Sequence, residues 1–401
     1  MPNALRQFDV IVLGAGAAGL MCAATAGQRV QRVALLEHNG QPGRKILISG
    51  GGRCNFTNLH CTPGNFLSEN KHFAKSALAL YQPRHFIELV DRYGILWHEK
   101  TLGQLFCDGS ARSILDMLLA ECERATEARG GVELVLNAHG IQVERAADGG
   151  FRIACSQGEF AAEALVVATG GLSIPKMGAT GLAYELARQF GLGLVAPRPA
   201  LVPLILGGDE AGWTALAGVA AEVVAQGGGA KFREKMLVTH RGISGPAVLQ
   251  ASSYWRPGSE IVLDLAPDLH VLAALIESPQ KPGVRRDLPS LKQALREVLP
   301  QRLANYLADA APPVGWSNAS LEAYERKLHQ WPMHPVGTEG FEKAEVTAGG
   351  VDTDVLQSRT LEARAVPGLF FIGEAVDVTG QLGGFNFQWA WASGVAAGRA
   401  V

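Results

Sequence analysis

No long apolar run survives in this chain of 401 residues. The most apolar stretch, residues 10–26, is broken by Gly14, Gly16 and Gly19, so a membrane span is not expected. Neither charge is in surplus: 36 Lys and Arg stand against 38 Asp and Glu, a formal net charge of -2. That balance gives no general electrostatic reason to expect nucleic acid or an anionic membrane as partner. The six cysteines, at 22, 54, 61, 107, 122 and 155, form no C-x-x-C and no zinc-type pairing. They read as reduced thiols of a cytoplasmic protein. The histidines show no metal spacing, so no metal site is expected. Residues 1–8 lack the basic segment and apolar core of a signal peptide. Internal repeats and low-complexity segments are missing too. What remains is a chain long enough for two or three domains with a large core.

Glycine is what the chain has in excess. It supplies 48 residues of 401, where an average protein has about 7%, and much of the excess is clustered. The first cluster follows a short β-rich run, FDVIVL at 8–13. It reads GAGAAG, with Gly14, Gly16 and Gly19 in the G-x-G-x-x-G register and Ala17 and Ala18 between them. Small and apolar residues then predict a helix over 17–26, and a second β run, 32–36, ends in Glu37. Each part has a physical role. Gly14 permits a tight turn, Gly16 lets a pyrophosphate approach the backbone, and Gly19 lets helix and strand pack closely. The helix N-terminus offers unpaired N–H groups, and Glu37 can accept from adenosine ribose hydroxyls. A bare motif is weak evidence; strand, helix, second strand and terminal acid at the right distances make a dinucleotide site. Glu37 argues against a 2′-phosphate, so the ADP moiety belongs to FAD or NAD rather than NADP.

After Glu37 the chain reads HNGQPGRKILISGGGRCNFTN over 38–58, polar, glycine-dense and expected to be irregular. Glycine lets main-chain N–H groups come close to a ligand. A flavin, with its ribityl chain, pyrophosphate and polar pyrimidine edge, needs such donors. Ser49, Gly50, Gly51, Gly52, Arg53, Cys54 and Asn55 are therefore read as backbone wrapped around the flavin half of FAD. Arg44 and Lys45 fall near the phosphates or the isoalloxazine edge. Cys54 is either a redox or covalent-flavin residue or a small packed side chain.

Two later segments fit the same site. Residues 164–168 (ALVVA) form a buried-type strand running into Thr169, Gly170 and Gly171, so that Ala168 and this A-T-G-G end against the cofactor. Near the C-terminus, a strand over 368–372 leads into Gly373 and Glu374. Either Glu374 or Asp377 is placed to hold the ribityl hydroxyls. Gly383 and Gly384 open an apolar helix over 385–400. Its N-terminus, with Phe385 and Asn386, would point N–H groups at the flavin pyrimidine and stabilise negative charge on the reduced ring.

These blocks carry a resemblance. GRKILISGGGRCNFTN (43–58), VVATGG (166–171), PALVPL (199–204), VTHRGISGPAVLQASS (238–253), AEVTAGGVD (344–352) and PGLFFIGEAVDVTGQLGGFNFQWAWASG (367–394) span almost the whole chain. Together they resemble the BaiN-like, aminoacetone-oxidase-like bacterial flavoproteins, NAD(P)/FAD-dependent oxidoreductases. Where family members often read T-M-E-S, this chain has TLEA at 360–363. The resemblance implies an α/β fold: a glutathione-reductase-like, two-dinucleotide-motif FAD domain with an inserted β-rich, barrel-like domain that has a helical portion.

The residues give the same division. From about 191 the pattern changes to Pro-punctuated apolar runs, LVPLIL, AGVAAEVVA, KMLVT and EIVLDLAP, consistent with a compact β module. Helical periodicity follows in HVLAALIES, LKQALREVLPQRLANYLADA and SNASLEAYERKLHQW, with Ser317 or Asn318 as N-cap. The expected domains are 1–190 with 341–401 for FAD, and an insert over 191–340, β-rich at 195–266 and helical at 269–331. WPMHP (331–335) reads as a rigid hinge, and VTAGG, after Lys343 and Glu345, as another turn near the flavin.

A second complete G-x-G-x-x-G and a redox dithiol are both missing, which excludes the two-Rossmann arrangement of disulfide reductases. NAD(P)H would then bind transiently at the flavin face, or substrate would reduce the flavin directly. In the insert, THRGISGP places Thr239, His240, Arg241 and Ser244 between two apolar runs. His240 is either a substrate-side catalytic residue or a structural histidine satisfied by backbone. Arg241 either binds a substrate carboxylate or braces an interface. Three functions are compatible with the sequence: an FAD-dependent oxidoreductase acting on a small organic substrate, with electrons passed to or from NAD(P)H or oxygen; an FAD-dependent RNA-modifying enzyme, which predicts a basic face and salt-sensitive binding; and a non-catalytic flavin-binding protein.

Overall fold

A computed structural model describes residues 5–29, 31–126, 131–147, 149–277 and 285–401. The chain divides into two compact units, one made of Met1–Arg198 with Val346–Val401 and the other of Pro199–Glu345. The first unit therefore runs on to 198, past the expected boundary at 190. The reason is local: the strand Leu194–Ala200 pairs with Val346–Val351.

The first unit is built on a five-stranded parallel sheet in the order Leu369–Phe371, Ala164–Val167, Val10–Leu13, Arg32–Leu36, Gly131–Val135. Its central strand, VIVL, is buried at every position. That is the pattern of a parallel strand covered on both faces, where alternation would be wasted. Each such side chain contributes about 1.5–3 kcal/mol on burial. The helix Ala17–Gly27 follows the opening strand and packs against the C-terminal helix Phe385–Ala400 at very short range. A Cβ at Gly394 would stand 2.6 Å from the Ala18 carbonyl oxygen, and one at Gly398 2.7 Å from that of Cys22. A four-stranded sheet (Arg6–Gln7, Gly158–Ala162, Phe151–Cys155, Gln142–Arg145) and a three-stranded one (Asn55–Asn58, Gln104–Cys107, Trp97–Glu99) complete this unit's larger sheets.

The second unit holds a seven-stranded antiparallel sheet in the order Trp331–Met333, Ile261–Asp264, Ala220–Gly227, Ala230–Val238, Gly242–Ser244, Leu204–Ile205, Gly337–Thr338. The helices Leu288–Val298, Gln301–Ala310 and Asn318–His329 bury Leu291, Leu295, Leu303, Leu307, Leu321 and Leu328 in its core. Ser317 caps the last of them, accepting from Ser320 N. Of the helix expected over 270–278, the segment Ala273–Ile276 is present, and residue 278 lies outside the described residues.

Two expectations are corrected. Residues 331–333 are an edge strand rather than a hinge. Pro332 sits opposite Val262, a place where a missing N–H costs no ladder bond. VTAGG is a fully buried strand rather than a turn.

Candidate functional site

Within the first unit the G-x-G-x-x-G segment turns from strand to helix at the carboxyl end of the parallel sheet. Gly14 has φ +99° and is pressed against the Ala168 carbonyl, which a Cβ would approach to 2.7 Å. Gly19 would place a Cβ 1.8 Å from the Gly14 carbonyl oxygen, so only glycine fits. Gly16 differs: nothing lies within 4 Å of where its Cβ would be, and it caps the helix without any side-chain bond to the helix N–H groups. The first and third glycines serve packing, while the second leaves bare backbone at a helix N-terminus facing open space. Those N–H groups, with Ala17 and Ala18 in the first turn, suit a pyrophosphate.

Glu37 stands at the end of the second strand, buried. Its Oε2 accepts from Ala15 N at 2.8 Å, and its Oε1 accepts from Asn39 N and Asn39 Nδ2, each at 2.8 Å. It holds the motif turn itself, at the carboxyl end of the second strand. Arg44 is drawn to the same end, donating to Asn39 Oδ1 at 2.7 Å and to the Lys176 carbonyl.

The stretch 43–58 is not irregular. It folds as a helix, Arg44–Ile48, then a tight turn, Ser49–Gly52, then the strand Asn55–Asn58. Gly50, Gly51 and Gly52 all have positive φ (56°, 68° and 84°), the conformation that favours glycine. Gly51 faces open space, as does Gly170 of the A-T-G-G turn. Arg53 is exposed. Cys54 is 0% exposed, and burial pushes its thiol up to about 12. A thiol so enclosed has the surroundings of a small packed side chain. The Asn55 amide lies against the Gln104 amide.

A four-residue network joins remote parts of this unit. Lys45 Nζ donates to Ser173 Oγ at 2.7 Å and to Glu374 Oε2 at 2.9 Å. Ser173 Oγ donates to Glu374 Oε1 at 2.6 Å, and Thr347 N donates to the same oxygen at 2.9 Å. Thr347 Oγ1 accepts from Leu172 N and Ser173 N. Gly171 is walled in by this group, since a Cβ there would lie 2.4 Å from Thr347 Oγ1. Burial alone would raise the Glu374 carboxyl, but the Lys45 ammonium, the Ser173 hydroxyl and the Thr347 N–H outweigh it and hold it below the usual glutamate range. Asp377 is placed otherwise. Its Oδ2 accepts from Glu69 N at 2.8 Å, and burial raises its carboxyl above the aspartate range. No motif marks Ser173, and Thr347 lies in the VTAGG run without being singled out there.

The C-terminal helix is stapled to the strand Asn55–Asn58. Trp391 Nε1 donates to the Phe56 carbonyl at 2.8 Å, Thr57 Oγ1 to Gln388 Oε1 at 2.7 Å, and Asn58 Nδ2 to the Gly383 carbonyl at 2.9 Å. Gly384, at φ +93°, would carry a Cβ 2.4 Å from the Thr57 carbonyl oxygen. Gly373 packs on Ala18, and its N–H donates to Ser393 Oγ. Phe385 is buried edge-on to Phe66, and the Asn386 amide bridges the Gly380 N–H and carbonyl. Both side chains brace the turn, and no side chain caps the N-terminus of this helix. The Thr169 hydroxyl is buried without a hydrogen-bond partner.

In the second unit, His240 and Arg241 are exposed. Arg241 pairs with Glu339 at 3.7 Å, and Thr239 Oγ1 accepts from the Arg241 and Gly242 N–H groups. Among the described residues no group of three or more His, Cys, Asp or Glu could hold a metal ion, and no helix is long and apolar enough to cross a membrane.

Residues 8–400 match the family described as HI0933-like protein Rossmann domain. The chain belongs to this family. Its members are FAD-dependent oxidoreductases of the BaiN-like, aminoacetone-oxidase-like kind, and the open glycines and helix N-termini described above fit that cofactor. The chain is 48% identical to the ribosomal RNA dihydrouridine synthase of Escherichia coli (strain K12), over 98% of each chain. It is 30% identical to the 3-dehydro-bile acid delta(4,6)-reductase of Clostridium scindens, over 97% of this chain and 98% of that one. Among solved structures, the Mycobacterium smegmatis Sdh1 complex in the apo form is similar, with a TM-score of 0.52 and 17% identity. The match covers 98% of this chain and 68% of that one, a likeness of fold alone.

Proposed function

We propose that this flavoprotein is a reductase that adds hydrogen across a carbon–carbon double bond conjugated with a carbonyl, drawing its electrons from NAD(P)H. The observation that carries the cofactor assignment is the set of open backbone sites at Gly16, Gly51 and Gly170, in one unit with the Lys45–Glu374 network. In this reading the N–H groups at Gly16–Ala18 hold the pyrophosphate and the Glu37 end holds the adenosine ribose. Ser49–Asn55 and the helix N-terminus at Gly383–Phe385 flank the flavin. FAD, when bound, supplies the hydride chemistry. The chain's own part is to position it and to fix the charge around it.

The reaction class rests on the two relatives. One is named for making dihydrouridine, a uracil ring whose conjugated double bond has taken up two hydrogens. The other is named for reducing the delta(4,6) double bonds of a 3-dehydro bile acid. A small conjugated carbonyl compound is one substrate size. A uridine in ribosomal RNA is the second reading, favoured by 48% identity over nearly the full length of both chains.

One anaerobic experiment separates these. NADH or NADPH should bleach the flavin band, and a panel of small enones or ribosomal RNA lacking the modification should restore it. Dihydrouridine formation is read by mass spectrometry in the RNA arm. A flavin that neither nucleotide reduces, or that no acceptor in either arm reoxidises, would defeat the proposal.

A further inference from the structure

We infer that Lys45 and Glu374 are positioning residues of opposite sign that together set the reduction potential of the bound flavin. The inference rests on the FAD reading above. Both stand at the carboxyl end of the parallel sheet, where doubly wound folds take their cofactors. Glu374 follows the strand Leu369–Phe371, beside Gly171. Lys45 lies on the helix Arg44–Ile48, and the N–H of Gly43, which caps that helix, donates to the Ala15 carbonyl within the G-x-G-x-x-G turn.

The pair is held in place from several sides. Ser173 accepts from Lys45 and donates to Glu374, and Thr347 N fixes the same carboxylate. An ammonium has three N–H groups; Lys45 spends two here, and 33% of its side chain is still exposed. Glu374 keeps 21%. The pair is thus neither sealed in the core nor free in solvent. Its arrangement is better matched to a task outside the protein's own core: presenting a cation whose strength is trimmed by a fixed anion. Taking up a hydride adds one negative charge to the flavin, so a nearby cation favours the reduced state and a nearby anion opposes it.

The two charges therefore predict opposite effects, which a merely structural pair would not. At saturating FAD, Lys45→Met should weaken binding of reduced relative to oxidised FAD by about tenfold, lowering the midpoint by about 30 mV for a two-electron couple. Glu374→Gln should move it upward by a similar factor. The double variant should return close to the wild-type value, and Lys45→Arg, which keeps the charge, should stay within about threefold of it. Midpoints are read by anaerobic dye-coupled titration, independent of any substrate. Shifts of the same sign in both single variants, or of less than about threefold in both, overturn the inference while leaving FAD binding intact. Failure of the wild-type protein to take up FAD would instead remove the reading beneath it. Should Lys45→Met fail to fold, Glu374→Gln measured against Lys45→Arg still decides the sign.

Discussion

Gly16→Ala separates the glycines that serve packing from the one that serves a ligand. Gly16 has φ -83° and ψ -168°, extended backbone that alanine adopts without strain. A methyl group there meets nothing within 4 Å. The apo fold should hardly notice: the poorer N-cap residue costs up to about 1 kcal/mol, and the less flexible unfolded chain returns about 0.4–1 kcal/mol. The ligand should notice. The methyl occupies the space in front of the helix N-terminus, and losing one charge-assisted hydrogen bond to a phosphate costs about 1.5–3 kcal/mol. At 1.4 kcal/mol per decade that weakens FAD binding by about 10- to 150-fold. Titration of apo-protein with FAD reads the affinity, and thermal unfolding of the apo form reads the fold. Gly19→Ala is the contrasting case. Its Cβ would stand 1.8 Å from the Gly14 carbonyl oxygen, so the apo fold itself should fail. A Gly16→Ala protein that binds FAD as tightly as wild type would refute the reasoning.

Other consequences can be measured directly. Gly394→Leu forces the helices Ala17–Gly27 and Phe385–Ala400 apart at a 2.6 Å approach; overpacking of about 1–3 kcal/mol should appear as a lower unfolding temperature. Cys54, with its thiol pushed up to about 12, should resist iodoacetamide in the folded protein at pH 8 and react only after unfolding, and Cys54→Ala should keep its flavin non-covalently bound. At His329, burial alone would lower the imidazolium, but the Asp264 and Glu325 carboxylates outweigh it and raise its pKa. A raised folded pKa gives stability that is complete below the unfolded value of about 6.5 and lost as pH climbs through the folded one. Calorimetry should therefore show the advantage of wild type over His329→Gln shrinking above that value. An advantage that grows with pH would contradict the assignment.

What the residues reveal in advance is the part governed by local rules. Gly14, Gly16, Gly19 and Glu37 carry fixed spacings, and the helices at 17 and 385 follow from small and apolar runs with glycine before them. The stretch 44–58 looked irregular because its glycines hide a five-residue helix and a strand whose partner, Gln104–Cys107, is distant in sequence. VTAGG looked like a turn for the same reason, although Gly349 and Gly350 are held in a strand by close backbone approaches to Ala196 and Ala375. Ser173 carries no sequence signal, and Thr347 only that of the VTAGG run, because the significance of both is tertiary. An ordinary serine and threonine become part of the site only where the fold brings Lys45 and Glu374 together.

The central claim is that one unit of this chain, assembled from both ends of the sequence, clasps a single FAD. Its most direct test is the identity and stoichiometry of the flavin released when the purified protein is denatured. The account predicts one FAD per chain, adenylate included, because the helix N-terminus at Gly16 is explained only by the nucleotide half. Protein that carries and accepts FMN alone, or stays colourless when offered FAD, would contradict it.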